Sequence, residues 1–201
     1  TWLDRRLPRL DIEGEGIAHE EQFAEWPTPD HTEALHAEGI GVDGLFAGLD
    51  LHVEPHEVQA VVGSRDPVTA VLLAVGGRLA IDHGRMRSGG RLLPERASAV
   101  RRVAWLVDAA DKDLTDELQA ATAALTHPPR RPPRLFLIDH ADQIVEQSHR
   151  DQLEALIRQV NQAGEAAVIL GAQRADRIDW LEPQTVHDLI DQPEPSLGGT
   201  R

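Results

Sequence analysis

Four short apolar runs punctuate the chain: Val58-Gln59-Ala60-Val61-Val62, Val103-Ala104-Trp105-Leu106-Val107, Leu135-Phe136-Leu137-Ile138 and Ala166-Ala167-Val168-Ile169-Leu170. Each is too short for a buried helix and rich in the residues that favour a pleated surface, which predicts strands over 57–62, 103–107, 135–138 and 166–170. Between them the apolar positions change spacing. Val68, Val71, Leu72 and Val75 recur at helical intervals and predict a helix over 67–76. Leu153, Leu156, Ile157 and Val160 do the same within a helix expected over 142–162 and stopped by Gly164. Shorter helices are expected over 96–102 and 114–125. An unbroken apolar run such as 135–138 suits a strand covered on both faces of a parallel sheet. Strands alternating with helices predict a three-layer α/β domain.

Ahead of the central strand the pattern alternates. Ala34-Leu35-His36-Ala37 and Leu49-Asp50-Leu51-His52-Val53 predict short antiparallel strands, and Gly89-Gly90 supplies a positive-φ turn inside the hairpin expected over 85–94. Residues 1–32 lack periodicity and read as an irregular arm, in which Trp2, Leu3, Phe23 and Trp26 could serve a docking partner. The α/β domain is expected over 33–191 and a disordered tail over 192–201. The proline-rich stretch from His127 to Arg134 reads as a stiff connector into the next strand.

Composition narrows the function. Hydrophobic content of 41% with only 3% aromatic residues means a core of Leu, Val, Ile and Ala. A formal net charge of −14 argues against coating nucleic acid, which needs clustered positive charge. With no cysteine, disulfides, thiolate metal sites and cysteine nucleophiles are excluded. No window approaches eighteen apolar residues and no apolar leader opens the chain, so neither nucleic acid nor direct membrane insertion is expected. The expected location is the cytoplasm, with attachment at the inner face of a membrane only through a partner.

The segment from Glu57 to Gly77, strand then Gly63 then helix, followed by Asp82-His83-Gly84-Arg85-Met86, resembles the passage from Walker A strand to "SGRV" turn in ATP-binding cassette (ABC) ATPases. Leu45 to Val58 resembles the strand pair that precedes it in that family, and Leu135-Phe136-Leu137-Ile138-Asp139-His140-Ala141-Asp142 resembles the Walker B strand and the residues after it. The resemblance covers residues 33–182. It implies a P-loop NTPase-like three-layer sheet with an antiparallel β edge. One helix over 114–125 stands where the family inserts a helical subdomain with an L-S-G-G-Q signature, and no signature is present.

The chemistry departs from the frame. A phosphate-binding loop reads G-x-x-x-x-G-K-[ST], its lysine reaching the β and γ phosphates and its hydroxyl holding magnesium. Starting from Gly63, the second glycine falls on Val68, the lysine on Thr69 and the hydroxyl on Ala70, and the single lysine of the chain is Lys112. Asp66 reads as the N-cap of the helix and Pro67 as its first residue. By position, Asp139 matches the Walker B aspartate, His140 the catalytic glutamate, Gln173 the switch histidine and Asp108 the glutamine that reaches the metal. No cofactor is expected. If nucleotide binds at all, the resemblance implies ATP and magnesium, with Gly63, Ser64, Arg65 and Thr69 on the phosphate side and Asp139 on the metal side.

His52, Glu54 and His56 share one strand face at period two, a spacing a metal could use, although a solvated face is the plainer reading. The first functional reading is a non-catalytic, ABC-ATPase-like subunit, an interaction or regulatory partner of a membrane transport protein or of a complete ABC ATPase. The alternatives are a divergent ATPase using Arg65, Asp139 and His140, and a structural docking domain for another soluble protein.

Overall fold

The computed structural model describes residues 33–126 and 132–189. The arm expected over 1–32, residues 127–131 of the proline-rich connector and the tail over 192–201 lie outside the described residues.

In chain order the strands are β1 (Leu35–Val42), β2 (Phe46–Val53), β3 (Val58–Val62), β4 (His83–Ser88), β5 (Arg91–Leu93), β6 (Ala104–Asp108), β7 (Leu135–Asp139), β8 (Ala167–Ala172) and β9 (Thr185–Asp188). The helices are α1 (Arg65–Val75), α2 (Ala97–Val100), α3 (Leu114–Thr126) and α4 (Gln147–Ala163). One sheet is antiparallel, in the order β2-β1-β4-β5, and the other runs β6-β7-β8-β3-β9 with every pairing parallel. All four expected central strands lie in the parallel sheet. Its edge strand β9 was not foreseen, because Thr-Val-His-Asp carries no apolar run and is held chiefly by backbone pairing to β3.

Side chains on a strand alternate between faces, and the parallel sheet uses both. Val61, Leu135, Leu137, Ala167 and Ile169 join a core shared with α1 and the antiparallel sheet. Their neighbours Val58, Ala60, Val62, Phe136, Ile138, Val168 and Leu170 join a second core against α3 and α4. This double coverage is why the strands read as continuous apolar runs.

Helix boundaries differ from the expectations at two points that matter below. α1 begins at Arg65 with Ser64 as its N-cap, so Asp66 is not the cap and Pro67 is the third helical residue. Proline fits there as well as at the first position, since no N–H of the first turn has an intrahelical partner. α4 begins at Gln147 rather than near 142, because His140 takes a left-handed conformation (φ 55°) and the chain first makes a 3-10 turn over Ala141–Gln143. Gly164 ends α4 at φ 81°, as expected. The turn at Gly89 and Gly90 also has positive φ, 55° and 75°.

Buried Gln59 ties the two sheets together. Its Nε2 donates to the His52 carbonyl on β2 at 2.7 Å, and its Oε1 lies 2.9 Å from His187 Nε2 on β9. Burial pushes the His187 imidazole below the usual histidine value.

Two outcomes are expected. Phe136 is fully buried on β7, so Phe136→Ala should cost about 3–5 kcal/mol in urea unfolding. The depressed value of His187 means that, as pH falls through about 6.5, the unfolded chain takes up that proton before the folded one does. Stability therefore drops below that pH until both states are protonated. His187→Gln should flatten this part of the stability-versus-pH curve, measured by urea melts from neutral to mildly acidic pH.

Candidate functional site

The carboxyl ends of parallel strands are where α/β folds gather polar chemistry, and five residues singled out in the sequence meet there. Pairing of β6 with β7 sets Asp108 directly beside Asp139, and His140 follows at the end of β7. From the other side, α1 presents Arg65 and Thr69, which are four residues apart and so share a helix face.

These side chains form two short hydrogen-bond systems. Thr69 Oγ1 donates to Asp139 Oδ2 at 2.7 Å, while Asp139 Oδ1 accepts the backbone N–H of His140 at 2.9 Å. Both oxygens of this carboxylate are thus engaged, and Asp139 is only 5% exposed. Arg65 Nε donates to His140 Nε2 at 2.9 Å, and His140 Nδ1 lies 2.8 Å from Asp108 Oδ1. A guanidinium can only donate and a carboxylate accepts, so Nδ1 carries the ring proton and the Nε2 lone pair is occupied. With its lone pair held by Arg65, the buried His140 ring has no open basic nitrogen for a water molecule.

The segment aligned with the phosphate-binding loop is helical from Arg65. Only Gly63 and Ser64 separate β3 from α1. The Gly63 N–H donates to the Ala172 carbonyl at 3.1 Å, and a Cβ on Gly63 would meet Leu189 Cβ at 2.9 Å. This glycine serves the close approach of the segment after β9. Ser64 is exposed and makes no side-chain cap bond. Asp66 places a carboxylate in the first turn, at the positive end of the helix dipole, where it opposes an incoming anion. Behind the site, Gly171 lets Leu72, Val68 and Asp139 pack closely, since its Cβ would fall 2.7, 2.8 and 3.0 Å from them respectively.

Gln173 is exposed beyond β8 and is not part of these hydrogen-bond systems. The rim near Asp108 is acidic. Burial raises the Glu117 carboxyl above its usual range, the backbone N–H of Asp108 opposes that shift, and Asp111, Asp108 and Asp113 add to it. The Asp108–His140 contact was not anticipated, because it joins residues 32 positions apart and depends on how two strands align.

A parallel sheet backed by α3 and α4, an antiparallel sheet sharing a core with α1, and a strand-to-helix junction facing an acidic strand end make up the architecture. The fold is that of the ATP-binding domains of ABC transporters, in a short form with few helices. CbiO1 from Clostridium perfringens, part of the ABC transporter complex CbiONQ, superposes with a TM-score of 0.57 at 11% identity, covering 82% of this chain and 89% of its own. An ATP-binding cassette of an ABC transporter in its ADP conformation gives 0.57 at 11% identity over 78% of this chain and 87% of its own. A bacterial Atm1-family ABC exporter with ATP bound gives 0.56 at 14% identity over 79% of this chain and 37% of its own. No protein-family model and no curated protein matches the sequence. Among the described residues no helix is long and apolar enough to cross a membrane.

If Thr69 is there to satisfy Asp139, Thr69→Val should cost about 1.5–3 kcal/mol, the usual loss for a hydrogen bond to a charged group. Thr69→Ser, which keeps the hydroxyl, should retain most of that stability in the same urea titration.

Proposed function

We propose that this chain is a non-catalytic ABC-ATPase-like domain acting as an interaction or regulatory partner of a membrane transport system. The observation that carries this reading is the occupancy of the would-be nucleotide site by the protein's own groups. Thr69 and the His140 N–H engage both oxygens of Asp139, and Arg65 and Asp108 engage both nitrogens of His140. A base at His140 would have to displace Arg65, and a metal at Asp139 would have to share its carboxylate with the Thr69 hydroxyl and the His140 N–H.

The residues present fit magnesium and ATP poorly on the same grounds. Where a phosphate loop would wrap its ligand, the backbone is already helical from Arg65, and the lysine position holds Thr69. Residues that work as one catalytic unit do not sustain turnover piecemeal. Among the described residues α3 is the one helix between β6 and β7, which also favours a domain that does not form a two-nucleotide sandwich with a second copy of itself. The fold's solved relatives suggest the class of partner, either a membrane transport protein or a complete ABC ATPase subunit, with this domain on the cytoplasmic side.

The test is binding and turnover measured together. A ligand at about one hundred times its Kd adds about 2.7 kcal/mol of stability, so millimolar magnesium-ATP would raise the melting temperature of any domain that binds it well. The expected result is no shift and no phosphate release above a protein-free blank. Phosphate release that disappears in Asp139→Ala would overturn the reading and make the chain a divergent ATPase using Arg65, Asp139 and His140.

A further inference from the structure

On the antiparallel sheet, away from the strand ends described above, two histidines face each other across a strand pair. His36 on β1 and His52 on β2 are direct Cα partners, and their rings meet edge to face with centroids 5.4 Å apart. Glu33, just before β1, places its carboxylate against the same nitrogen of each ring. His36 Nδ1 is 3.0 Å from Glu33 Oε2, and His52 Nδ1 is 3.9 Å from Glu33 Oε1. One donor atom from each of the three residues lies within 4.8 Å of the others. Donors about 2.0–2.1 Å from a tetrahedral zinc ion lie about 3.3 Å from one another, so only small side-chain rotations separate this cluster from a coordination shell.

The outer nitrogens are also provided for. His36 Nε2 lies 3.1 Å from Glu38 Oε1, and His52 Nε2 faces Glu54 Oε1 at 3.5 Å. Glu38 is in turn held by Arg85, whose Nε donates to its other oxygen at 2.6 Å. A metal-binding imidazole normally donates its second N–H to a carboxylate, which fixes the ring and raises its basicity. His36 has that arrangement, with Nδ1 on the shared carboxylate and Nε2 on Glu38, while His52 Nε2 reaches only ion-pair distance of Glu54. Glu33, Glu38 and Glu54 against Arg85 and Arg87, the latter the β4 partner of His36, leave the cluster net negative.

We propose that Glu33, His36 and His52 form a binding site for a divalent transition ion of the zinc class, with Glu38 and Glu54 orienting the two imidazoles. Two nitrogens and one oxygen suit such an ion better than magnesium or calcium, which prefer oxygen ligands. Three protein ligands leave a fourth position for water or for a partner's side chain. The site clips the start of β1 to the end of β2. It also borders a groove of about 300 Å³ whose lining includes Gln59, Thr185 and His187. His56, expected on the same face, is not a member, because it sits in a turn at φ 75° with Nδ1 3.2 Å from the Asn161 carbonyl.

The experiment is zinc titration of the metal-free full chain by calorimetry, with a competing chelator to set the affinity range. One ion per chain is expected. His36→Ala and His52→Ala should each abolish binding, while Glu38→Gln and Glu54→Gln should weaken it by about 10–100-fold. His149→Ala, on α4 beside Thr115, should leave it unchanged and serves as the control for loosely bound ion. Should an alanine variant fold poorly by circular dichroism, His52→Gln replaces it, keeping a polar side chain but removing the imidazole. Absence of saturable binding, or binding that survives loss of both His36 and His52, overturns the proposal.

Discussion

Burial of β7 on both faces is the constraint from which the rest of the site follows. Leu135 to Ile138 are wholly enclosed, alternating between the two cores, so the first polar group the strand can carry is at its carboxyl end. That group is Asp139, itself nearly buried. A carboxylate in such a place needs a donor for each oxygen, since an unsatisfied buried charge costs several kcal/mol. The hydroxyl of Thr69 and the N–H of His140 supply them. The second donor is local and lies beside the left-handed turn of His140, which in turn aims the ring between Arg65 and Asp108.

The same economy explains why α1 starts so early. In a working phosphate loop the backbone between strand and helix must wrap around its ligand, with glycines allowing the close approach. Here the equivalent residues make the first turns of α1, and the one glycine that remains is committed to Ala172 and Leu189. What the fold presents at this junction is a helix face able to hydrogen-bond with strand ends. Arg65 and Thr69 are on that face, where they donate to His140 and Asp139.

The antiparallel sheet carries a separate chemistry. Its His36–His52 pair owes nothing to the strand ends of the parallel sheet, yet the two regions are mechanically linked through Gln59, which hydrogen-bonds the His52 carbonyl on one side and meets His187 on the other. Ordering of β2 by an ion would therefore bear on β3 and β9, the strands next to the Gly63 junction.

By itself the sequence determined the layered α/β class, the four central strands and the position of Asp139, because two-sided burial writes a continuous apolar run that needs no partner to be recognised. It also determined that the lysine, the signature and the second loop glycine are missing, since these are matters of residue identity. It misplaced the starts of α1 and α4, because proline and aspartate suit several positions of a first turn, and the left-handed turn at His140 has no glycine to announce it. It also missed β9, which is too polar to carry a run. Only the tertiary structure decided which side chains meet. Asp108 with His140, Thr69 with Asp139, and His36 with Glu33 and His52 in place of His56 all depend on strand register and on the angle at which α1 crosses the sheet. Those quantities are fixed by packing between segments far apart in the chain, and no local pattern encodes them.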